Sequence, residues 1–501
     1  MKRLSIVGCY VNIVLLTIIG PAAFAHTTYY VNTNGNDAYP GTRIKPFKTI
    51  GKVNSLDLKG GDTVYFRAGQ IFEGSLKLRG GVRGAKNRPV VITSYGRDNA
   101  MIDSKDSSAI RIYQCSYVKL KRLTLRGSGR KTGNTKDGLA IINCDHITVD
   151  GLDISGFQKS GLLIYSSQNI TANNVFANGN GSAGITVESP YQKRESHNIK
   201  ILNCRAENNP GDPANLTNHS GNGIVVGDCR KVLIDHCTAT NNGWDMPRIG
   251  NGPVGIWAYE ADSVIIQHCL SYKNKTSKGG ADGGGFDLDG GVTNSIVQYN
   301  VTYDNWGSGY CIFQYWGASP WHDNIFRYNI SENDGAVSDS QAGLYIWNSS
   351  DDEKQFHDCQ VYGNIIYNDK VAALCYSEKS ESKGIVFRDN VFVGRDWLIK
   401  GKDKIGDAKY QGNDWWSIDK EFNMNGMEGF KEWRAKCSEA WGEMTTQPEF
   451  NIEPGFKNPG KSRITSASQL KNYKNYQLPK NSPLLAPWVA IDLYGVRNIK
   501  Q

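Results

Sequence analysis

VLIDHC (232–237), VIIQHC (264–269), SIVQYN (295–300) and NIFRYN (324–329) are one pattern written four times. In each, apolar and polar residues alternate over a short β-prone run that closes on Cys or Asn. A period of two marks a half-buried strand and excludes an amphipathic helix. The closing residue recurs as Asn174, Cys204, Cys237, Cys269, Asn300, Asn329, Asn364 and Asn390, in steps of 30, 33, 32, 31, 29, 35 and 26 residues. A repeat of this size, loose in length but fixed at one position, predicts a stack of coils in which each turn covers the last.

The bends are specified as well. Four and five residues past the ladder come Asn208-Asn209, Asn241-Asn242, Lys273-Asn274, Asp304-Asn305 and Asn333-Asp334. Asparagine tolerates the left-handed backbone of a tight bend, and stacked amides can bond from coil to coil. The row Asn178, Asn208, Asn241, Lys273, Asp304, Asn333, Asn368 is amide except at Lys273 and Asp304, on adjacent turns. Two readings stand: a neighbouring-coil ion pair of modest structural value, or a base and a carboxylate for chemistry on a uronate.

Residues 1–25 carry Lys2 and Arg3, an apolar run over 13–19 and Ala23-Phe24-Ala25, the layout of a secretory signal peptide that ends before His26. Its removal takes the formal charge from +8 to +6, a mild excess that hints at an acidic partner, with no nucleic acid expected. No later stretch has the roughly 20 apolar residues that a membrane span requires. The protein is therefore expected outside the cytoplasm, secreted, periplasmic or at the cell surface. Ten cysteines remain beyond Cys9. Cys204, Cys237 and Cys269 fall on the ladder and read as small interior packing residues.

The expected organisation is a signal peptide (1–25), an N-terminal β lead-in and cap (26–100), the coils (101–395) and a C-terminal capping segment (396–501). Within the last, GMEGFKEWRAKCSEAW (426–441) reads as a short helix and SPLLAPWVAIDLYG (482–495) as an extended piece. Repeat stacks need such caps at their open ends.

The opening YYVNTNGNDAYPGT (29–42), the GGDTVYFRAG turn (60–69), the Asn/Cys ladder, and GGGFDLDGG (283–291) followed by YNVTYDNWGSGY (299–310) together resemble the right-handed parallel β-helix superfamily of pectate lyases and related carbohydrate-active enzymes. The resemblance implies an all-β, single-stranded right-handed parallel β-helix. It leaves the reaction open, because this fold serves lyases, hydrolases, epimerases and adhesins.

Chemistry has to come from the outward faces. Aligning GLLIY (161–165), GITVE (184–188), GIVVG (223–227), GIWAY (255–259), GFDLD (285–289), YCIFQ (310–314) and GLYIW (343–347) puts the third and fifth residues of each on one side. That side carries Glu188, Trp257, Tyr259, Asp287, Asp289, Gln314, Tyr345 and Trp347. Two acids between aromatic rows suit a sugar chain, whose ring faces stack on aromatic rings. Asp287 and Asp289, about 6.5 Å apart at Cα on an extended strand, form a candidate acid/base pair, with Glu260 or Asp304 as a third carboxylate. The loops 210–222, 243–254 and 275–284 precede the aligned strands and supply His219, Arg248 and Lys278 as substrate-binding candidates.

The leading expectation is a glycoside hydrolase working on a plant- or algal-type polysaccharide or oligosaccharide, acidic glycans included, without a cofactor. The alternative is a polysaccharide lyase cleaving uronate-containing glycan by β-elimination, with Ca²⁺ held by Asp287 and Asp289 and Lys273 or Lys278 as base. Against the superfamily's lysine-dependent lyases, the chain shows Asp-Leu-Asp where an adjacent Asp-Asp is common. A non-catalytic glycan-binding surface β-helix is the third possibility.

Overall fold

The computed structural model describes residues 26–337, 341–350, 352–377, 382–401, 408–424, 427, 429–441 and 449–485. The signal-peptide segment, and residues 486–495 of the expected extended piece, lie outside the described residues; the described start of that piece, Pro483–Leu485, is a 3-10 turn and not extended.

In two early coils the second and third strands run on as single strands, Ser116–Gly127 and Asp145–Ser155; most coils contribute three short strands. A 12-stranded sheet takes the first of them and a 25-stranded sheet the other two, and the strands pair in parallel from coil to coil. One turn runs through Ile256–Tyr259, Asp262–Gln267 and Leu270–Tyr272; the next through Phe286–Leu288, Ile296–Gln298 and Val301–Tyr303. Alternation decides what points inward: Val264 and Ile266 are fully buried, and the intervening Ile265 and Gln267 face out. The interior is thus a column of like residues, such as Ile224, Ile256, Phe286, Tyr310 and Leu344 in register. Close stacking of matched side chains fills it without voids.

Two left-handed residues bend each coil. The first is His236, His268, Tyr299 or Tyr328 (φ 55°, 51°, 56°, 56°), the second Asn208, Asn241, Lys273, Asp304 or Asn333 (φ 51°, 51°, 54°, 54°, 56°). Both rows are outward, and the buried hydrogen-bonding ladders follow one residue later. Asn300, Asn329 and Asn364 each accept from the preceding coil's main chain and donate to the next amide, at 2.9–3.1 Å. Asn209, Asn242 and Asn274 do the same at the second bend, where Asn305 ends the amide run by donating to the Asp334 carboxylate at 2.8 Å. Two expectations shift accordingly. Asn174 is the exposed left-handed residue of its coil (φ 51°), and Val175 is the interior rung. Asn178 sits in a strand opposite Glu207, and Gly179 takes the bend.

The ten cysteines from Cys115 onward are all buried. Cys204, Cys237 and Cys269 turn their thiols onto main-chain carbonyls of the stack, which confirms their packing role.

The stack extends past both expected boundaries. Thr63–Arg67 already pairs with Val90–Tyr95, and Ala408–Gln411 with Asp414–Ser417 add a coil beyond residue 395. The helix Phe430–Trp441 covers that last coil, with Trp433 packed on Tyr410 and Trp415. The tail does something other than cap. Residues 449–485 run back along the outside, where Ala467, Leu470, Tyr476 and Leu484 pack against Leu270, Val301, Ile330, Ile365 and Val391 of five successive coils.

Asn329 tests the ladder. Its amide serves the Asn300 and Asn364 side chains, the Asn300 N–H and the Val297 carbonyl. Asn329→Ala strands these buried groups and is expected to cost about 3 kcal/mol. Asn329→Cys, the residue that fills earlier rungs, should cost less. Urea unfolding of the two variants side by side checks the order.

Candidate active site

The 12-stranded sheet turns two columns of side chains outward. Trp257, Asp287, Cys311 and Tyr345 stand in register in one; Tyr259, Asp289, Phe313 and Trp347 lie two residues further along the same strands. This register corrects the alignment of YCIFQ. Gly309, not Tyr310, is the counterpart of Gly285, since the Phe286 N–H donates to the Gly309 carbonyl. A one-residue slip exchanges faces. Ile312 and Tyr310 therefore point into the core, with Tyr310 stacked on Phe286 at 5.4 Å. Gln314 is buried, accepting from the Gly291 N–H and donating to the Ser319 carbonyl.

A cleft of about 1560 Å³ opens over the second column. Glu188, His219, Trp257, Tyr259, Lys278, Asp289, Tyr345 and Trp347 line it, as do Tyr191, Asp228, Asp282, Trp306 and Tyr315. Asp287 lies beneath this floor, 2% exposed between Trp257 and Cys311, and its Oδ1 has no partner among the described atoms. Arg248, Gln314, Glu260, Lys273 and Asp304 are not among the lining residues. Arg248 instead donates to the Asn251 carbonyl at 2.9 Å and so shapes the loop that forms one wall. Lys273 and Asp304 occupy the outer bend of the other sheet. Asp304 is 3.8 Å from Lys370, and among the described residues it makes no ion pair with Lys273.

Glu260 is fully buried and works as a fastening. Its Oε1 accepts from the Ser319 N–H at 2.8 Å, Tyr191 Oη at 3.3 Å and Gln192 Nε2 at 3.4 Å. Arg194 donates to the Glu260 and Gly291 carbonyls at 3.0 and 2.9 Å. These bonds fold residues 189–195 across the coils as one wall of the cleft. Gly291 (φ 72°) is required here, because a Cβ would stand 2.5 Å from Glu260 Oε2.

The cleft's carboxyls hold their protons unusually well. Burial, then the neighbouring Asp282 and Glu260, pushes Asp289 up to about 7 against the Gly290 hydrogen bond. Burial lifts Asp282 to about 6, although the Gly252 N–H donates to it at 2.7 Å. Asp228 is likewise raised to about 6 by burial. Asp287 is driven well above the carboxylate range by burial and by the charges of Asp289 and Asp282. Glu188 is raised by burial even though Tyr259 Oη donates to it at 2.8 Å. His219, packed edge-on to Trp257 at 4.8 Å, is lowered to about 4 by burial and by Arg248, and is neutral at physiological pH. Trp257 is fixed by its Nε1–H to Asn222 Oδ1 at 2.9 Å.

Asp228 was reachable from sequence. GIVVGD and GIWAYE align with an acid in the sixth place of each, Asp228 and Glu260, both left-handed (φ 47° and 43°). Tyr191 and Tyr315 were not, because long-range folding of their loops brings them in.

A parallel coil stack with an acid-lined, aromatic cleft on its first sheet is the architecture of a β-helix protein with a carbohydrate-sized groove. The chain belongs to the family described as Pel9A-like, right handed beta helix region, whose profile matches residues 29–333. Among solved structures it is similar to the GH136 lacto-N-biosidase from Eubacterium ramulus, at 20% identity over 70% of this chain and 65% of that one, with a TM-score of 0.52. It is also similar to the Dettilon tailspike protein, at 13% identity over 76% of this chain and 70% of that one, with a TM-score of 0.53. Pectate lyase Pel9A aligns over 91% of this chain and 90% of its own, at 13% identity and a TM-score of 0.41. A comparison with curated proteins returns no match. Among the described residues no helix is long and apolar enough to cross a membrane.

The raised carboxyls have a stability consequence. An aspartate whose folded pKa is about 7 against an unbound value of 3.8 binds more protons folded than unfolded across that interval. Stability then falls as pH rises through it. Asp289→Asn mimics the protonated form and keeps an acceptor for the Gly290 N–H. It is expected to unfold at a higher temperature than wild type near about pH 8, with the gap closing toward about pH 4. Thermal scans across that range read the effect directly, and a gap that does not vary with pH would contradict it.

Proposed function

We propose that the protein is a secreted glycoside hydrolase that binds an uncharged stretch of glycan in this cleft. The observation that carries the reading is the placement of two carboxyls, Asp289 and Asp282, in one aromatic-lined cleft, where burial raises both toward neutrality. Glycosidic cleavage needs one carboxyl that still holds a proton for the leaving oxygen and one that is ionised to stabilise or attack the anomeric centre. On this reading Asp289 is the proton donor and Asp282 its ionised partner. Asp287, driven well above the carboxylate range by burial beneath them, adds no negative charge that would oppose the ionisation of Asp282. Tyr259, Tyr345, Trp347 and Trp306 supply apolar ring faces for sugars on either side.

Charge speaks for a neutral substrate. Besides the neutral His219, Lys278 is the one basic side chain among the lining residues, set against Glu188, Asp228, Asp282 and Asp289. A uronate would enter against this field. The lyase alternative also asks for a Ca²⁺ cage of several converging oxygens. Asp287 and Asp289 do not fit one: among the described residues they join no group of three acids, histidines or cysteines with ligand atoms within 4.8 Å of one another. Lys273 is outside the cleft, so a lysine base would have to be the exposed Lys278.

The test is turnover on a panel of neutral and uronate-containing glycans. Reducing-end release without an unsaturated, ultraviolet-absorbing product is expected, insensitive to chelator. Asp289→Asn and Asp282→Asn should each lower kcat by about 10²–10⁴-fold with the fold intact. An unsaturated product, or turnover abolished by chelation, would move the assignment to a lyase; unchanged binding with no turnover on any glycan would leave a binding module.

A further inference from the structure

The 25-stranded sheet, on the side away from the cleft, holds a second convergence of chemistry-bearing side chains. Asp235 ends its strand, His236 takes the left-handed bend, and His268 takes the same bend one coil later. Both imidazoles turn Nδ1 to one oxygen, Asp235 Oδ1, at 2.8 and 2.9 Å. One ligand atom from each of the three lies within 4.8 Å of the others, and among the described residues no other group of His, Cys, Asp or Glu meets that condition. The side chains are 39%, 23% and 22% exposed for His236, His268 and Asp235, so solvent and ions reach them.

Stacking of like residues along a coil column is the ordinary explanation for neighbouring histidines. The chain contains its own control for that explanation. His322 and His357 also stack one coil apart, at 5.1 Å and 4° between planes. Yet each bonds its own neighbour, Asp323 or Asp358, at 2.7 and 2.8 Å, and the two do not converge. His236 and His268 are tilted by 39° at 4.9 Å and aim at a shared point. Ligands of a tetrahedral ion bound at about 2.0–2.1 Å stand roughly 3.3 Å from one another. The spacings here need to open by roughly half an ångström to admit it.

We propose that Asp235, His236 and His268 form a binding site for a divalent transition cation, best matched by Zn²⁺, that staples two successive coils. Two imidazole nitrogens and one carboxylate oxygen are a donor set for Zn²⁺ rather than for Ca²⁺ or Mg²⁺, which prefer oxygen alone. On binding, each neutral imidazole shifts its proton from Nδ1 to Nε2 and gives the Nδ1 lone pair to the metal, and water completes the coordination shell. No proton or electron is left unaccounted for. The site is independent of the hydrolase reading, since no cleft residue takes part.

Untagged, metal-stripped protein dialysed against Zn²⁺ should retain one equivalent, and Co²⁺ in its place should show the visible bands of a low-symmetry, roughly tetrahedral site. His236→Asn and His268→Asn suit the test, because asparagine accepts the left-handed backbone and fills the same bend position at Asn174 and Asn203. Each is expected to weaken binding at least tenfold, and His322→Asn with His357→Asn to leave it unchanged. A readout without substitution guards against misfolding: Zn²⁺ should protect His236 and His268, but not His322 and His357, from acylation by diethyl pyrocarbonate. Wild-type protein that retains no metal, uptake that survives the double variant His236→Asn/His268→Asn, or equal protection of all four histidines would each overturn the proposal.

Discussion

A polar main chain buried in an apolar stack must find every hydrogen bond from the coil above or below, and that constraint governs the rest of this molecule. Strands meet it by parallel pairing. Bends cannot, because the left-handed residues break the ladder of N–H and C=O groups. The amides that follow each bend repair the break: Asn300, Asn329 and Asn364 at one corner, Asn209, Asn242, Asn274 and Asn305 at the other. Where thiols replace amides, as at Cys237 and Cys269, the main-chain N–H reaches the next sulfur at 3.3 Å, a weaker bond that volume filling offsets. The ladder thereby fixes which residues stand above one another, and so which side chains can share a cleft.

The cleft follows from that ruler and from one departure from it. Alternation on Phe286–Leu288 forces Asp287 and Asp289 to the same side, but their environments differ. Asp287 is roofed between Trp257 and Cys311, and Asp289 looks into open space. Two carboxyls two residues apart thus acquire different proton affinities, from burial first and then from neighbouring charges and the Gly290 hydrogen bond to Asp289, with Asp282 arriving from the preceding loop. Glu260 shows the other use of a buried acid. It lies one residue past the floor, bonded from several loop donors, and holds a wall in place.

Strands and their inward faces were legible because alternation and turn residues repeat at every coil. The rungs were legible only to within one position. Asparagine is favoured both in the left-handed bend and on the buried rung, so pairs such as Asn208-Asn209 and Asn241-Asn242 do not announce which member is which. Gln314 was misassigned for a related reason. YCIFQ lacks the leading glycine that marks the other segments, and Gly309 supplies it one residue earlier. Of the expected site residues, Glu188, His219, Trp257, Tyr259, Lys278, Asp289, Tyr345 and Trp347 meet in one cleft, since all but His219 and Lys278 obey the strand period. Lys273 and Asp304 look anomalous in a row of amides, but the anomaly lies at an outer bend and carries no chemistry toward the cleft. Arg194, Tyr191 and Tyr315 depend on loop paths that no local pattern encodes.

The returning tail changes how such a stack can come apart. In a simple solenoid each coil touches only its neighbours, and melting can begin at an end and travel. Here the Ala467 N–H donates to Thr238 Oγ1 at 3.0 Å, Tyr303 Oη donates to the Ile464 carbonyl at 2.6 Å, and Ser462 with Tyr476 grips Glu332. Coils from Thr238 to Glu332 are lashed to this single segment, which follows all of them in sequence. None of these coils can peel away without also releasing the lashing, so the stack along this side comes apart as one cooperative unit rather than turn by turn.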